Sequence, residues 1–408
     1  MNTNICRLSH ALIQHARISS VRLYRGWMHR KPAKVLLSFE PDSNVTLKEE
    51  KVIDLGSHNN VKTRKSGPKQ EKVTLSNEES SKEIKENKAI KLKQRKFYIS
   101  QKKVFDDNGE IIYEKLKEND GRISSLLVKL KSKKERIRSE QVLVEGWRLI
   151  IDGLEAKCVL RYVIFSRPED LNNLRPFLPK TGVQFYKIPY KEIELWSDVE
   201  TSPGIFGVFD TPTPENIRRL SKPIPLQFIC DNVRVPGNLG AILRAAVGVG
   251  CEKVILSKGC VDLWDPKVIR SASGAHFRQP IYTSVDWEDM PNLLEQNTSI
   301  FIADSNSNVF DEAEQVQNSS IPVMPYYSVD FTNLKHVTLV IGGETEGISE
   351  DSYRLAAQNS GLRLNIPLQK GVDSLNTGMA AAVIAFEIRK QFVQAWAKRK
   401  LENNLKVT

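Results

Sequence analysis

Residues 231–246 read DNVRVPGNLGAILRAA, in which a Pro-Gly turn joins an apolar run to small residues at helical spacing. The apolar run, 225–230, has the length of a strand. A Pro-Gly pair reverses the chain and Asn238 follows it directly, so we expect Asn238 to cap a helix that begins there. The segment therefore predicts a strand, a tight turn and a helix in succession.

Two segments nearer the C-terminus also combine an apolar run with a turn. Residues 337–347 read VTLVIGGETEG, a β-branched strand that runs into a glycine-rich loop. Residues 364–376 read LNIPLQKGVDSLN and precede a stretch of helical composition, 379–388, which Ser374 or Asn376 would cap. Because glycine lets a ligand approach the main chain, each segment predicts a turn that brings the backbone close to a ligand.

Together, the three segments resemble motifs one, two and three of the SpoU (TrmH-like) branch of the SPOUT superfamily. The resemblance is specific because the motifs occur in the family's order and spacing, and it extends to KGCVDLWDPK at 258–267 and GAHF at 274–277. Members of this branch are knotted methyltransferases that act on a ribose 2′-oxygen of RNA, and the match is nearest to mitochondrial rRNA enzymes. Two residues depart from the family pattern: Val235 replaces the usual Asp, and Thr345 replaces a common Gly.

Alternating strands and helices in the C-terminal half predict an α/β fold with a parallel sheet and helices on both faces. The expected strands are 225–230, 253–256, 300–303, 337–341 and 362–366. General topology rules argue against a knot, so only the resemblance implies one. A smaller α/β pattern precedes this sheet, and the resemblance implies an L30e-like substrate-binding domain there.

The expected domain organisation follows these patterns. We assign residues 1–39 to a mitochondrial transit peptide, 40–119 to a mostly disordered basic extension and 120–210 to an L30e-like RNA-binding domain. Residues 211–224 are the expected linker, 225–396 the SpoU methyltransferase domain and 397–408 a C-terminal tail. Residues 1–39 contain no Asp or Glu but several Arg among apolar residues, which is typical of a transit peptide. A disordered basic RNA-binding arm is the alternative interpretation of this segment.

The chain of 408 residues has a formal net charge of +11, which favours a polyanionic partner such as RNA. The Lys-rich stretch 49–118 can also be merely solvated, and we prefer that interpretation for it. The five cysteines show neither a CxxC pair nor a His at ligand spacing, so no metal site or disulfide framework is expected. No apolar run is long enough to span a membrane.

The resemblance implies S-adenosylmethionine as the cofactor and assigns both sets of site residues. The cofactor-binding residues are Gly342, Gly343, Ile366 and Leu375, although either apolar side chain could instead be ordinary core packing. The catalytic residues are Asn238, Arg244, Glu344, Ser374 and Asn376.

Arg244 follows Asn238 by six positions, and we expect it to reach the same pocket. An arginine pKa above about 12 conflicts with the role of a simple base. We therefore favour Arg244 gripping a phosphate of the target nucleotide, with that phosphate or a water accepting the proton. A structural ion pair with Glu344 is the alternative.

Other candidate residues lie outside the three motifs. The expected phosphate contacts are Lys131, Lys133, Lys134, Arg136 and Arg138, which could also form an ordinary exposed helix end. His276 lies beside Phe277, and we expect a structural hydrogen bond from it, not catalysis.

The sequence thus predicts a methyltransferase of mitochondrial large-subunit rRNA, acting at a guanosine, in the matrix. The resemblance also implies a homodimer and the mitoribosomal large-subunit precursor as partner. The alternatives are a noncatalytic ribosome-assembly factor and a related tRNA 2′-O-methyltransferase. A dinucleotide oxidoreductase is disfavoured because the Gly248–Val249–Gly250 turn precedes a strand, whereas a GxGxxG turn precedes a helix.

Overall fold

The computed structural model describes residues 89–90, 92–217, 221–304 and 321–407, which form two sheets with their helices. The expected transit peptide and most of the expected extension lie outside the described residues. Within the described ranges, no helix is long and apolar enough to cross a membrane, and no cluster of ligating side chains could hold a metal ion.

The first sheet is mixed and has five strands in the order β1-β4-β3-β5-β2. Its strands are β1 Glu114–Lys115, β2 Gln141–Glu145, β3 Leu160–Phe165, β4 Gln184–Lys187 and β5 Ile205–Asp210. Its helices are α1 Gly121–Lys131, α2 Lys133–Ser139, α3 Trp147–Glu155 and α4 Tyr190–Trp196. The smaller α/β pattern predicted from the sequence is confirmed here, and it is clearest in strands β2, β3 and β5 and helices α1 and α3, because each has a clear apolar pattern.

The first sheet also recruits residues from before position 120, where we placed the start of this domain. Val104, Ile112 and Leu116 are buried, and β1 pairs with β4. Both strands are short and carry polar residues, so neither has the alternating pattern that identifies a strand from sequence. Tertiary contacts therefore draw residues 103–119, which we assigned to the extension, into the packed domain.

The second sheet has seven strands in the order β10-β12-β9-β11-β6-β7-β8, and every pair is parallel. The strands are β6 Leu226–Asp231, β7 Lys253–Ser257, β8 Ile281–Val285, β9 Thr298–Ala303, β10 Val323–Pro325, β11 His336–Gly342 and β12 Leu362–Asn365. The helices are α5 Pro236–Val249, α6 Pro266–Ala272, α7 Met290–Leu293, α8 Glu350–Gln358 and α9 Thr377–Val407. The edge strands β8 and β10 were not predicted, since half-exposed edges lack a continuous apolar run.

Helices cover both faces of this sheet, as the buried strand pattern predicted. Phe228 and Cys230 of β6 pack into the core beneath α5 and α9, and Ile229 packs into a separate core beneath α8. The last strand, β12, enters the sheet between the earlier strands β9 and β10. The prediction of an α/β fold with a parallel sheet is confirmed.

Candidate functional site

A cavity of about 170 Å³ opens at the carboxyl ends of β9, β11 and β12. This edge of a parallel sheet is where open α/β folds commonly bind ligands. Its walls come from motifs two and three, the end of β9 and the start of α9. All four predicted cofactor-binding residues line it, together with Ala303, Asp304, Ile341, Glu344, Gly347, Ile348, Leu364, Leu368, Ser374, Thr377, Ala380 and Ile384.

The glycines of motif two are required by close approaches of the main chain. A Cβ atom on Gly342 would lie 2.4 Å from the carbonyl oxygen of Gly347, and one on Gly343 would lie 2.5 Å from that of Asn232. Both contacts are far below van der Waals distance and involve backbone atoms, which cannot rotate away. The loop therefore folds tightly against motif one only because these two positions lack side chains.

Asp231 holds both ends of the motif-two loop, a role that the sequence analysis missed. Its carbonyl oxygen accepts a hydrogen bond from the Gly343 amide at 2.9 Å. Its buried carboxylate accepts from the Ser349 amide at 2.7 Å and from the Ser352 hydroxyl at 2.8 Å. The available signal was an acidic residue at the end of an otherwise apolar strand, because a buried carboxylate needs such donors.

A chain of hydrogen bonds joins one predicted catalytic residue from each motif. The Asn376 amide nitrogen donates to Asn238 Oδ1 at 2.8 Å, and Asn238 Nδ2 donates to Glu344 Oε2 at 2.6 Å. Asn376 Oδ1 also accepts from the Gly378 amide at 3.0 Å, which caps α9 as predicted. Ser374 lines the cavity beside this chain but does not cap the helix.

The prediction that Asn238 is an N-cap is wrong. Helix α5 begins at Pro236, and Val235 is its N-cap residue. Proline favours the first helical position because its fixed φ suits the helix and it has no amide hydrogen to satisfy. Asn238 is therefore the third helical residue, and its buried side chain is available to bridge the other two motifs.

Arg244 does not reach this cavity. It is exposed on α5 and does not line the cavity, whereas Asn238 is buried. Six helical positions rotate a side chain by about 600°, which leaves the two residues roughly a third of a turn apart. The alternative ion pair is not formed either, because among the described residues the Glu344 carboxylate meets Asn238 instead.

The described cavity lining includes two carboxylates and no cationic side chain. Besides Glu344 there is Asp304, whose Oδ2 accepts from the Tyr353 hydroxyl at 2.7 Å and from Arg363 Nε at 2.9 Å. Burial and the neighbouring Asp304 raise the pKa of Tyr353, so this phenol remains a hydrogen-bond donor. No motif identified Asp304, since its position depends on where β9 ends beside β12.

The five cations expected to contact RNA divide into two groups. Lys133, Lys134 and Arg138 are exposed, although Arg138 also pairs with Glu135 at 3.0 Å. Lys131 pairs with Asp198, and Arg136 is buried and pairs with Asp262. A buried arginine whose donors are used internally cannot also grip a phosphate, so the expectation for Arg136 is corrected here.

His276 is structural, as predicted. It is buried, and its Nε2 lies 2.7 Å from the carbonyl oxygen of Leu263. Burial lowers its pKa to about 4, and its ring packs 4.9 Å from that of Trp264. Cys230 and Cys251 are buried core residues, and the described cysteines form no disulfide.

Known proteins are similar to this chain in sequence and in fold. The sequence model of the SpoU rRNA Methylase family matches residues 225–386, and that of the MRM3-like substrate binding domain matches residues 125–207. The chain is 40% identical to human "rRNA methyltransferase 3, mitochondrial" over 314 residues, which are 68% of this chain and 74% of that protein.

More distant relatives include a 23S rRNA guanosine 2′-O-methyltransferase of Bacillus subtilis, 27% identical over 64% of this chain and 93% of that protein. The SpoU methyltransferase AviRb of Streptomyces viridochromogenes, solved in complex with AdoMet, shares the fold with a TM-score of 0.56 and 20% identity. That match covers 67% of this chain and 99% of AviRb. On the family match and the extent of the human alignment, the chain belongs to the SpoU rRNA methylase family.

Proposed function

We propose that this protein transfers a methyl group from S-adenosylmethionine to a ribose 2′-oxygen of mitochondrial large-subunit rRNA. The observation that supports this best is the hydrogen-bonded chain of Asn376, Asn238 and Glu344 beside the cavity. It joins three segments that are far apart in sequence, and two of its members flank loops whose glycines admit a ligand to the main chain.

The cavity suits S-adenosylmethionine. Ile366 and Leu375 offer apolar walls to an adenine ring, and the main chain of 366–376 lies outside helices and strands, where its peptide groups can read the ring's edge. The Glu344 carboxylate suits a positively charged ligand, whereas the Asp304 carboxylate is already paired with Arg363. AviRb, which shares the fold, was crystallised with this cofactor. When bound, the cofactor supplies an electrophilic methyl group.

The side chains around the cavity position the ribose. Asn238, Ser374 and Asn376 orient the hydroxyl and the loops through neutral hydrogen bonds, and Glu344 holds Asn238 in place. Arg244 remains charged at every physiological pH and is therefore assigned to a phosphate of the target nucleotide. That phosphate or an ordered water accepts the hydroxyl proton.

We further propose a homodimer that forms through α9. Met379, Phe386 and Val393 follow one another at seven-residue spacing and are 63%, 49% and 43% exposed, which leaves an apolar stripe on one face of the helix. Arg244 borders this stripe: it shares a face of α5 with Gly248, where an added Cβ would lie 3.5 Å from the Phe386 ring. A second copy on the stripe would bring Arg244 close to the partner's cavity.

The names of relatives support the remaining details. The Bacillus subtilis relative acts on a guanosine, which favours that base. The mitochondrial names of the vertebrate relatives favour action in the matrix on a precursor of the mitoribosomal large subunit, with residues 1–39 as transit peptide. We assign RNA contacts in the first domain to Lys133, Lys134 and Arg138.

The test is methyl transfer from labelled S-adenosylmethionine to mitochondrial rRNA, followed by mapping of the modified ribose. Arg244→Ala is compared with Arg354→Ala, which removes another exposed arginine of the second domain, one that pairs with Asp351 in its own helix. We expect label on one guanosine 2′-oxygen, lost in Arg244→Ala and kept in Arg354→Ala.

Other outcomes identify the alternatives. Normal RNA binding without cofactor binding by calorimetry would indicate a noncatalytic assembly factor. Label on tRNA in place of rRNA would indicate the related tRNA enzyme.

A further inference from the structure

The junction between the two sheets contains residues of both domains in one apolar core. Phe277 and Ile269 come from the second domain but pack in the core of the first, where the Phe277 ring lies 5.4 Å from that of Phe209. Phe277 is fully buried. Domains within one chain are expected to move relative to each other unless their interface is large and apolar. The core shared between the two domains has the apolar character that this exception requires.

Arg136 forms a second link across the junction. Its guanidinium donates to the carbonyl oxygens of Leu130 and Lys131 at 2.8 and 2.9 Å, within its own domain. It also pairs with the carboxylate of Asp262 in the second domain, and only 9% of the side chain is exposed. A guanidinium has several donors in a fixed plane, so this arrangement fixes direction as well as distance.

Arg278 forms a third link on another helix of the first domain. It pairs with Asp152 and lies 3.5 Å from the Glu155 carboxylate, both on α3. Beside it, a Cβ atom on Gly274 would lie 2.3 Å from the Asp152 carboxylate. Gly274 has a φ of +79°, a conformation that favours glycine, and a side chain there would displace the Asp152 carboxylate. The second domain therefore meets α3 without a gap at this point.

We infer that the two domains form one rigid body and that Arg136 and Arg278 are positioning residues, which set the distance between the RNA-contacting surface and the cofactor cavity. Three links at separate points, on α2, on α3 and in the apolar core, oppose rotation about any single axis. The consequence for methyl transfer rests on the proposed function, whereas the rigidity does not. A nucleotide bound by the first domain is then held at one fixed distance from the cavity.

Distance measurements between two spin labels test this inference without RNA or cofactor. The labels replace two exposed residues, Leu195 in the first domain and Arg354 in the second, through noncanonical amino acids that leave the native cysteines unlabelled. Labelled chains are diluted with unlabelled ones so that distances within one chain dominate. We expect a single narrow distribution, and a broad one would overturn the inference.

The matched variants exchange carboxylate for amide. Asp152→Asn with Asp262→Asn removes the nearest carboxylate partner of Arg278 and of Arg136, while Asp210→Asn removes the partner of Arg161 within the first domain. We expect the double variant to broaden the distribution and Asp210→Asn to leave it narrow. An unchanged distribution in the double variant would contradict the role of the two arginines.

The same variants separate this inference from the proposed function. We expect the double variant to bind S-adenosylmethionine normally and to transfer methyl groups at least about tenfold more slowly, because misplacement by about 1 Å is costly. Unaltered transfer despite a broadened distribution would contradict the positioning role. A rigid wild-type protein that methylates no RNA would overturn the proposed function and leave the rigid junction standing.

Discussion

Asn238 is the residue on which the three motifs converge, since it both accepts from Asn376 and donates to Glu344. The side-chain amide can do both because it carries a donor and an acceptor at its tip. A carboxylate would meet Glu344 with like charge, and an alanine would leave both neighbours without this partner.

We expect Asn238→Ala to lower methyl transfer about a hundredfold, the effect of losing a positioning group at the reacting centre. Cofactor affinity should change only a few-fold, because Asn238 itself does not line the cavity. Single-turnover kinetics and calorimetry separate the two effects. Asn333→Ala is the matched control, since Asn333 is exposed and donates to the nearby Asp330 at 3.0 Å. A variant with wild-type turnover would contradict the proposed role.

His276 makes stability depend on pH. Burial lowers its pKa to about 4, whereas the unfolded chain has the ordinary value near 6.5. Above pH 6.5 both states are neutral; as the pH falls towards 4, only the unfolded state takes up the proton, so stability is lost on acidification.

Because of His276, the free energy of unfolding should fall by about 2 kcal/mol between pH 7.5 and pH 5. His276→Gln keeps a donor for the Leu263 carbonyl but cannot titrate, so its free energy of unfolding should fall less over this range. Urea denaturation of both proteins at the two pH values measures the difference. Equal losses would show that His276 titrates normally in the fold.

At the scale of elements, the conformation of the motif-two loop between β11 and α8 depends on two glycines and on one buried carboxylate. Gly342 and Gly343 let the chain pass the backbone of Gly347 and Asn232, and Asp231 then holds the loop at Gly343 and Ser349. The loop is thus tied at both ends while its middle remains open to the cavity, which is an arrangement that preorganises a ligand site.

Gly343→Ala should weaken cofactor binding between about fivefold and a hundredfold, since overpacking against backbone typically costs about 1–3 kcal/mol. The new Cβ would lie 2.5 Å from the Asn232 carbonyl oxygen, so the loop must move. Gly121→Ala is the control: it lies at the start of α1 with no atom near its added Cβ. Calorimetry with S-adenosylmethionine reports both, and unchanged affinity in Gly343→Ala would show that the loop yields without harm.

At the scale of the whole molecule, the apolar stripe of α9 and the exposed Arg244 together support the proposed dimer. Phe386→Glu should convert the proposed dimer to a monomer in multi-angle light scattering, because a charge cannot be buried unpaired in an apolar interface. Leu195→Glu, which changes an exposed leucine of the first domain, should leave the mass unchanged. A monomeric wild-type protein would contradict the dimer outright.

If Arg244 serves the partner's cavity, two inactive variants should complement each other. Mixed Arg244→Ala and Asn238→Ala chains form heterodimers in which one site combines an intact cavity with an intact arginine. With random assortment, about a quarter of all sites regain activity. If the refolded mixture does not regain activity, Arg244 does not act at the partner's cavity; it then acts within its own chain or only in RNA binding.

The sequence alone determined the class of fold, the strands that are buried on both faces and the three motifs, two of which line the cavity. Local features specify these elements: apolar period, glycine in tight turns and an asparagine cap at Asn376. The same reasoning assigned the N-cap of α5 to Asn238, whereas the helix begins at Pro236 and Val235 is its N-cap residue. It also expected Arg244 to reach the cavity, which Arg244 does not line.

Only the tertiary structure decided which polar groups serve the fold. Arg136 was expected to contact RNA, yet it is buried against Asp262, 126 positions away in sequence. Asp231 and Asp304 acquire their partners from strands and helices distant in the chain, and residues 103–119 become part of the first domain by packing, without a pattern of their own. A charged side chain looks the same in sequence whether solvent, RNA or a neighbouring domain meets it, because that choice depends on long-range contacts and the desolvation they impose.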